Sequence, residues 1–118
     1  MLAREKWQAR TIQVLEMVFD ERLRQVARYG HNDELEDGFS PETPWLEPVD
    51  RTMPAHEIQR VFRIDYEAHE IVHGAPTWMH LIREELAEMF EREPDDPRAV
   101  DEAIQVAALL VSWAEKKL

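Results

Sequence analysis

The sequence predicts an all-α chain: four helices in a bundle-like fold, with a long proline-rich loop after the first. Three observations predict it. Apolar residues recur at spacings of three and four through most of the chain, the signature of helices with one buried face. No stretch sustains the alternation of a half-buried strand. Glycines and prolines fall between the periodic segments, where they end one helix and admit the next.

The first helix is expected from about Lys6 to Arg28, with Trp7, Ile12, Leu15, Val18, Phe19, Leu23 and Val26 at helical spacing and a stop at Tyr29-Gly30. From His31 to Met53 periodicity is absent, and Pro41, Pro44 and Pro48 forbid a continuous helix. A connection of that length in a compact domain is usually functional or mobile. A second helix from about Pro54 to Val72 carries Ile58, Val61, Phe62, Asp65 and His69, and stops at Gly74-Ala75-Pro76. The third runs from Trp78 to about Arg92. The fourth runs from Pro97 to about Lys117, after an Asp96-Pro97 pair that reads as N-cap and first-turn proline.

Length and composition bound the partners. The 118 residues make one domain, and 44% hydrophobic residues give a real but small core. A formal net charge of −11 with no basic run argues against nucleic-acid polymers and anionic membranes. The absence of cysteine excludes disulfides and thiolate ligands or nucleophiles. No signal peptide, membrane span or lipidation motif is visible, so the expected compartment is the cytoplasm.

Chemistry is concentrated in two short signatures, Glu85-Leu86-Ala87-Glu88 and Glu102-Ala103-Ile104-Gln105. Residues three apart share a helix face, so each signature presents two oxygen ligands toward whatever lies between the helices. Helical bundles build hard-cation sites in this way. Glu85 falls inside the apolar stripe of Trp78, Leu81, Ile82, Leu86 and Met89, where a carboxylate is costly unless it is paired or coordinates a metal. The structural alternative is a buried ion pair with Arg60 or Arg63. Glu88 sits at the edge of that stripe, and Glu84 and Glu91 lie toward the polar side, where a solvated face is the default. Glu102 and Gln105 are flanked by Val106, Leu109 and Trp113 on a last helix that is apolar nearly all round. Three short neighbours cannot cover such a helix, which points to a homodimer or homotetramer with the third and fourth helices near the interface.

A rival motif is His69-Glu70-Ile71-Val72-His73, a literal H-E-x-x-H. A zinc hydrolase of that kind needs a third ligand, for which His80 and Glu84 are the nearest sources, and normally a sheet edge, which this chain lacks. Ordinary packed or surface histidines are the expectation, with incidental metal binding and a zinc hydrolase as minor alternatives.

Together these residues resemble the MazG-like, all-α nucleoside triphosphate pyrophosphohydrolases, in particular a small phage and actinobacterial branch. The family's E-x-x-E followed by E-x-x-D is matched at Glu85, Glu88 and Glu102. Glu21-Arg22-Leu23-Arg24-Gln25 and Arg28-Tyr29-Gly30 resemble the branch's R-Q element and W/Y-G helix end. Asn32, Asp33, Asp37 and Gly38 echo its N-x-D/D-G loop. Thr77-Trp78 and the Glu102 to Ala108 run match a T-W and an E-x-x-Q-V-A-A. The family's fourth metal-binding aspartate is Gln105 here, an amide that brings no charge.

The resemblance implies a Mg²⁺-dependent pyrophosphohydrolase, with Mn²⁺ as a substitute, that converts a nucleoside triphosphate to its monophosphate and pyrophosphate. It implies metal binding by Glu85, Glu88 and Glu102, with Gln105 or Glu84 completing the set. Arg24 and Arg28 either contact phosphate or pair with Glu21 and Asp20, and Gln25 either contacts base or ribose or serves inter-helix packing. Trp45, in the proline-rich loop, is either a stacking lid or an anchor that docks the loop on the core, and a partner subunit is a candidate source of Arg24, Gln25 or Trp45. The alternative reading is a catalytically degenerate member of the same fold that binds a nucleotide or a protein.

Overall fold

A computed structural model describes residues 3–30, 34–50 and 52–118, with the backbone alone for Tyr29. The structure contains four α-helices, α1 (Ala3–Tyr29), α2 (Ala55–His73), α3 (Trp78–Phe90) and α4 (Pro97–Lys116), and no strand among the described residues.

Each helix end has a local cause. Gly30 closes α1 at a φ of 76°, and its N–H donates to the Val26 carbonyl at 2.9 Å. Gly74 closes α2 in the left-handed region at a φ of 82°, and its N–H donates to the Glu70 carbonyl at 2.7 Å. Thr77 caps α3 in a reciprocal box. Its hydroxyl accepts from the His80 backbone N–H, while the His80 ring accepts from the Thr77 backbone N–H. Asp96 caps α4, accepting from the Arg98 N–H at 2.9 Å, with Pro97 in the first turn. Helix α3 ends at Phe90, short of the expected Arg92, because residues beyond it already turn toward Asp96: Arg92 N–H bonds to Met89 O and Asp96 N–H to Glu93 O.

The helices pack in series. Among the described residues α1 packs on α4, α4 on α3 and α3 on α2, with no contact between α1 and α2. The all-helical expectation holds, but the grouping is an open row. Its radius of gyration is 16.0 Å, against about 13 to 14 Å for a compact domain of this length, and it measures 54 × 35 × 28 Å. The core is accordingly thin. Val18 meets Ile104 and Ala108 between α1 and α4, with Met17 and Ala107 alongside, and Trp78 is the one large side chain fully buried among the described residues.

The openness leaves apolar surface uncovered. Val100, Leu110 and Val111 of α4 are exposed, but the largest uncovered stripe lies on α1, where Trp7, Ile12, Leu15, Phe19 and Leu23 are all more than half exposed. The sequence reading placed the excess on the last two helices. Part of it lies there, at Phe90, Val100, Leu110 and Val111, but the larger stripe lies on α1, because α4 is sandwiched between α1 and α3 whereas α1 has a single neighbour.

The segment after α1 docks where α3 begins and α4 ends. The Trp78 and Met79 N–H groups donate to the carbonyls of Glu36 and Asp37 at 2.9 and 3.0 Å. Trp113 Nε1 donates to one oxygen of Asp37 at 3.0 Å and Lys117 Nζ to the other at 2.7 Å, which holds that carboxyl below its usual range. Gly38 is required there. Its φ is 73°, and a Cβ would come within 2.3 Å of Thr77 Oγ1. Asn32 and Asp33 of the loop resemblance lie outside the described residues.

Candidate functional site

The α3–α4 hairpin builds a carboxylate cluster. Glu85 and Glu88 come from one face of α3 and Glu102 from the first turns of α4, and one oxygen of each lies within 4.8 Å of the others. This is the juxtaposition that the two acidic signatures predict. Arg63 does not neutralise Glu85: it bonds Glu84 at 2.8 Å and Glu67 at 2.9 Å. Arg60 is exposed. Arg92 reaches one oxygen of Glu102 at 3.4 Å, and the other oxygen of Glu102 and one of Glu85 are buried with no partner.

Such an arrangement is electrostatically uncomfortable. Burial, and then the charges of Glu88, Glu102, Glu84 and Glu21, push the Glu85 carboxyl up to about 7. Burial, followed by Glu84 and Glu102, raises Glu88 as well. Bringing these carboxylates together disfavours their charged forms, and a divalent cation would offset that cost. The donor set is all carboxylate oxygen, which suits Mg²⁺ or Mn²⁺ and not a soft metal.

Two members of the cluster, Glu85 and Glu88, line a cavity of about 550 Å³ together with Glu84. Its lining also includes Arg22 and Gln25 of α1, Leu35, Tyr66 of α2 and Pro76, so acidic, basic, amide and apolar groups share one space.

Of the predicted substrate contacts, Gln25 is at the cavity, with its amide donating to the Gln105 carbonyl at 3.3 Å. Three others are not brought there within the chain. Arg24 is exposed and bonded to Glu21 at 2.8 Å, because it lies one turn from that acid on the outer side of α1. Arg28 is exposed and does not line the cavity. Trp45 projects outward, and its carbonyl accepts from Arg83, about 160° round α3 from Glu85. Gln105 is half-buried and lines a groove with Met17, Asp20, Glu21 and Arg24. Glu84 is not on a solvated face: it is only 7% exposed and fixed by Arg63, because α2 covers that side of α3.

Sequence reasoning missed Arg22. It is buried, with Nη2 donating to Glu115 at 2.9 Å and Nε without a partner. The signal was available, since Arg22 follows Val18 by one turn on the buried face of α1, the same intrusion of charge into an apolar face that singled out Glu85. Arg63, expected as a candidate partner of Glu85, pairs with its neighbour Glu84, and Tyr66 was missed because nothing in α2 alone says which side meets α3.

The histidines of H-E-x-x-H are near one another, but His80 is committed elsewhere: its Nδ1 faces Thr77 and its Nε2 faces Asp65 at 3.1 Å. The third ligand of a zinc hydrolase is therefore lacking among the described residues. Comparison with known proteins returned no matching family model, no matching curated protein and no matching solved structure.

Proposed function

We propose that this protein is a Mg²⁺-dependent nucleoside triphosphate pyrophosphohydrolase of the MazG-like type, acting in the cytoplasm on a ribo- or deoxynucleoside triphosphate or a related nucleotide. The observation that carries the reading is the cluster of Glu85, Glu88 and Glu102 with buried, unpaired oxygens on both helices. The motif resemblance supplies the reaction class.

In this reading Glu85, Glu88 and Glu102 hold the cation, and Mn²⁺ can replace Mg²⁺. A bound Mg²⁺ supplies neutralisation of the triphosphate and a lowered pKa for a water molecule. Glu84, its charge offset by Arg63, forms the cavity wall beside the cluster. Arg22 and Gln25 offer N–H donors along the α1 wall, and Tyr66 offers an aromatic surface from α2. Attack of water at the α-phosphorus releases pyrophosphate and leaves the nucleoside monophosphate, with no covalent intermediate on the chain.

The apolar stripe of α1 favours a homodimer or homotetramer. A second copy seated on that stripe would cover the apolar side chains that α1 leaves exposed. A partner could then deliver Trp45, Arg24 or Arg28, which the chain does not bring to its own cavity. A second reading is a degenerate member that binds a nucleotide without cleaving it. Gln105 favours it, because an amide in the second acidic signature leaves the set one acid short of the family pattern.

Pyrophosphate release over a panel of ribo- and deoxynucleoside triphosphates, with Mg²⁺ and Mn²⁺, tests the proposal. Release that depends on the cation and disappears in Glu102→Gln supports it. Nucleotide binding without release, by calorimetry, selects the degenerate reading, and neither binding nor release refutes both.

A further inference from the structure

The carboxylate cluster leaves one chemical motif unused. At the C-terminal end of α2, His69 and His73 are one turn apart, and their ring centroids lie 4.3 Å from each other with the planes tilted by 37°. His69 Nδ1 lies 3.1 Å from the Ala75 carbonyl. A carbonyl oxygen only accepts, so Nδ1 carries the proton and Nε2 keeps its lone pair. A backbone carbonyl that fixes the tautomer and ring orientation in this way is the usual outer support of a metal-binding imidazole. His73 is exposed and Gly74 ends the helix directly after it, so nothing in the next turn of α2 covers its ring.

We propose that His69 and His73 form a second cation site, a two-imidazole clamp for a borderline divalent transition metal such as Ni²⁺, Cu²⁺ or Zn²⁺. Imidazole suits these ions and not Mg²⁺, whose preferred donors are the carboxylates of the other cluster. The site therefore sorts cations by donor chemistry, and it stands whether or not the pyrophosphohydrolase reading does. His80, whose ring centroid is 4.6 Å from that of His69, is a wall and not a ligand, because both its nitrogens are engaged by Thr77 and Asp65. The protein thus supplies two donors, and the other coordination positions are left to water or to an incoming ligand. Glu70, between the two histidines in the chain, lines the cavity.

Chelator-stripped full-length protein should be titrated with Ni²⁺ or Cu²⁺ by calorimetry in the presence of excess Mg²⁺. The expected result is saturable binding of one ion per chain, weakened at least about tenfold by His73→Gln and absent in the His69→Gln/His73→Gln double variant. Binding should be unchanged in Glu85→Gln. The Cu²⁺ spin-resonance spectrum should report two nitrogen ligands. His73 is exposed, so its substitution leaves the fold intact, and circular dichroism confirms this for each variant. Affinity unchanged in the double variant, loss of binding in Glu85→Gln, or no saturable binding would each overturn the proposal.

Discussion

Two charged clusters share α3, and the difference between them separates support from chemistry. On one side Arg83 is buried and bonds to the Asp65 carboxylate at 2.6 Å and to the carbonyls of Trp45 and Glu47, while Asp65 also receives His80. Opposite charges face each other and all but one guanidinium nitrogen finds an acceptor. The arrangement fastens the loop and α2 to α3. On the other side three carboxylates of like sign converge, with two oxygens unpaired. A fold gains nothing from that second arrangement unless a cation enters it. Buried charge that is complementary holds a structure together, and buried charge that is frustrated makes a candidate ligand site.

The largest effect should come from the complementary side. Arg83→Ala removes the guanidinium from the Asp65 carboxylate and from two loop carbonyls, and should cost about 3 to 5 kcal/mol in urea unfolding. A loss below about 1 kcal/mol would mean that the loop is held by other means.

Glu85→Gln should have the opposite balance. If the cluster is a cation site, the variant loses at least about a hundredfold in activity, close to 3 kcal/mol in barrier, together with the rise in thermal midpoint that Mg²⁺ gives the native chain. The metal-free variant should be more stable than the native chain at pH 8, because a like-charge repulsion is gone. Lower stability at that pH would mean that Glu85 is structural.

The pH dependence sharpens the same contrast. A carboxyl raised from about 4.5 to about 7 binds its proton more tightly in the folded state. Metal-free protein should therefore lose on the order of 2 kcal/mol from this group as pH rises from about 4.5 to about 7. His80 works the other way. Burial lowers its pKa, so its contribution is present above about 6.5 and lost on acidification. The difference between native and Glu85→Gln stability curves isolates the first effect, and saturating Mg²⁺ should flatten it. A difference that does not vary with pH would contradict the assignment.

The smallest expected change in chain stability is at Phe19, 63% exposed on the uncovered stripe of α1. Phe19→Glu should alter the stability of a monomer by less than about 0.5 kcal/mol. If a second copy covers the stripe, light scattering should show the mass falling to 14.0 kDa. A native chain already at that mass with full activity would show that the cavity is complete in one copy.

The sequence by itself determined the helices and the meeting of Glu85, Glu88 and Glu102, because both are local. Periodicity, Gly30, Gly74, Thr77 and Asp96 act within a turn or two, and a short hairpin joins the acidic signatures. Glu84 and Glu85 differ by one residue, yet only tertiary packing decided that Arg63 takes the first and leaves the second unpaired. Packing also decided that Arg22, not Arg24, enters the cavity, that Trp45 docks behind α3, and that Gln105 turns to the α1 groove. The reason is that a helix's own pattern says which face is apolar, but not which neighbour meets it or which long side chain crosses the gap. Those outcomes depend on the order in which the helices stack, and an open row satisfies the same periodicity as a closed bundle.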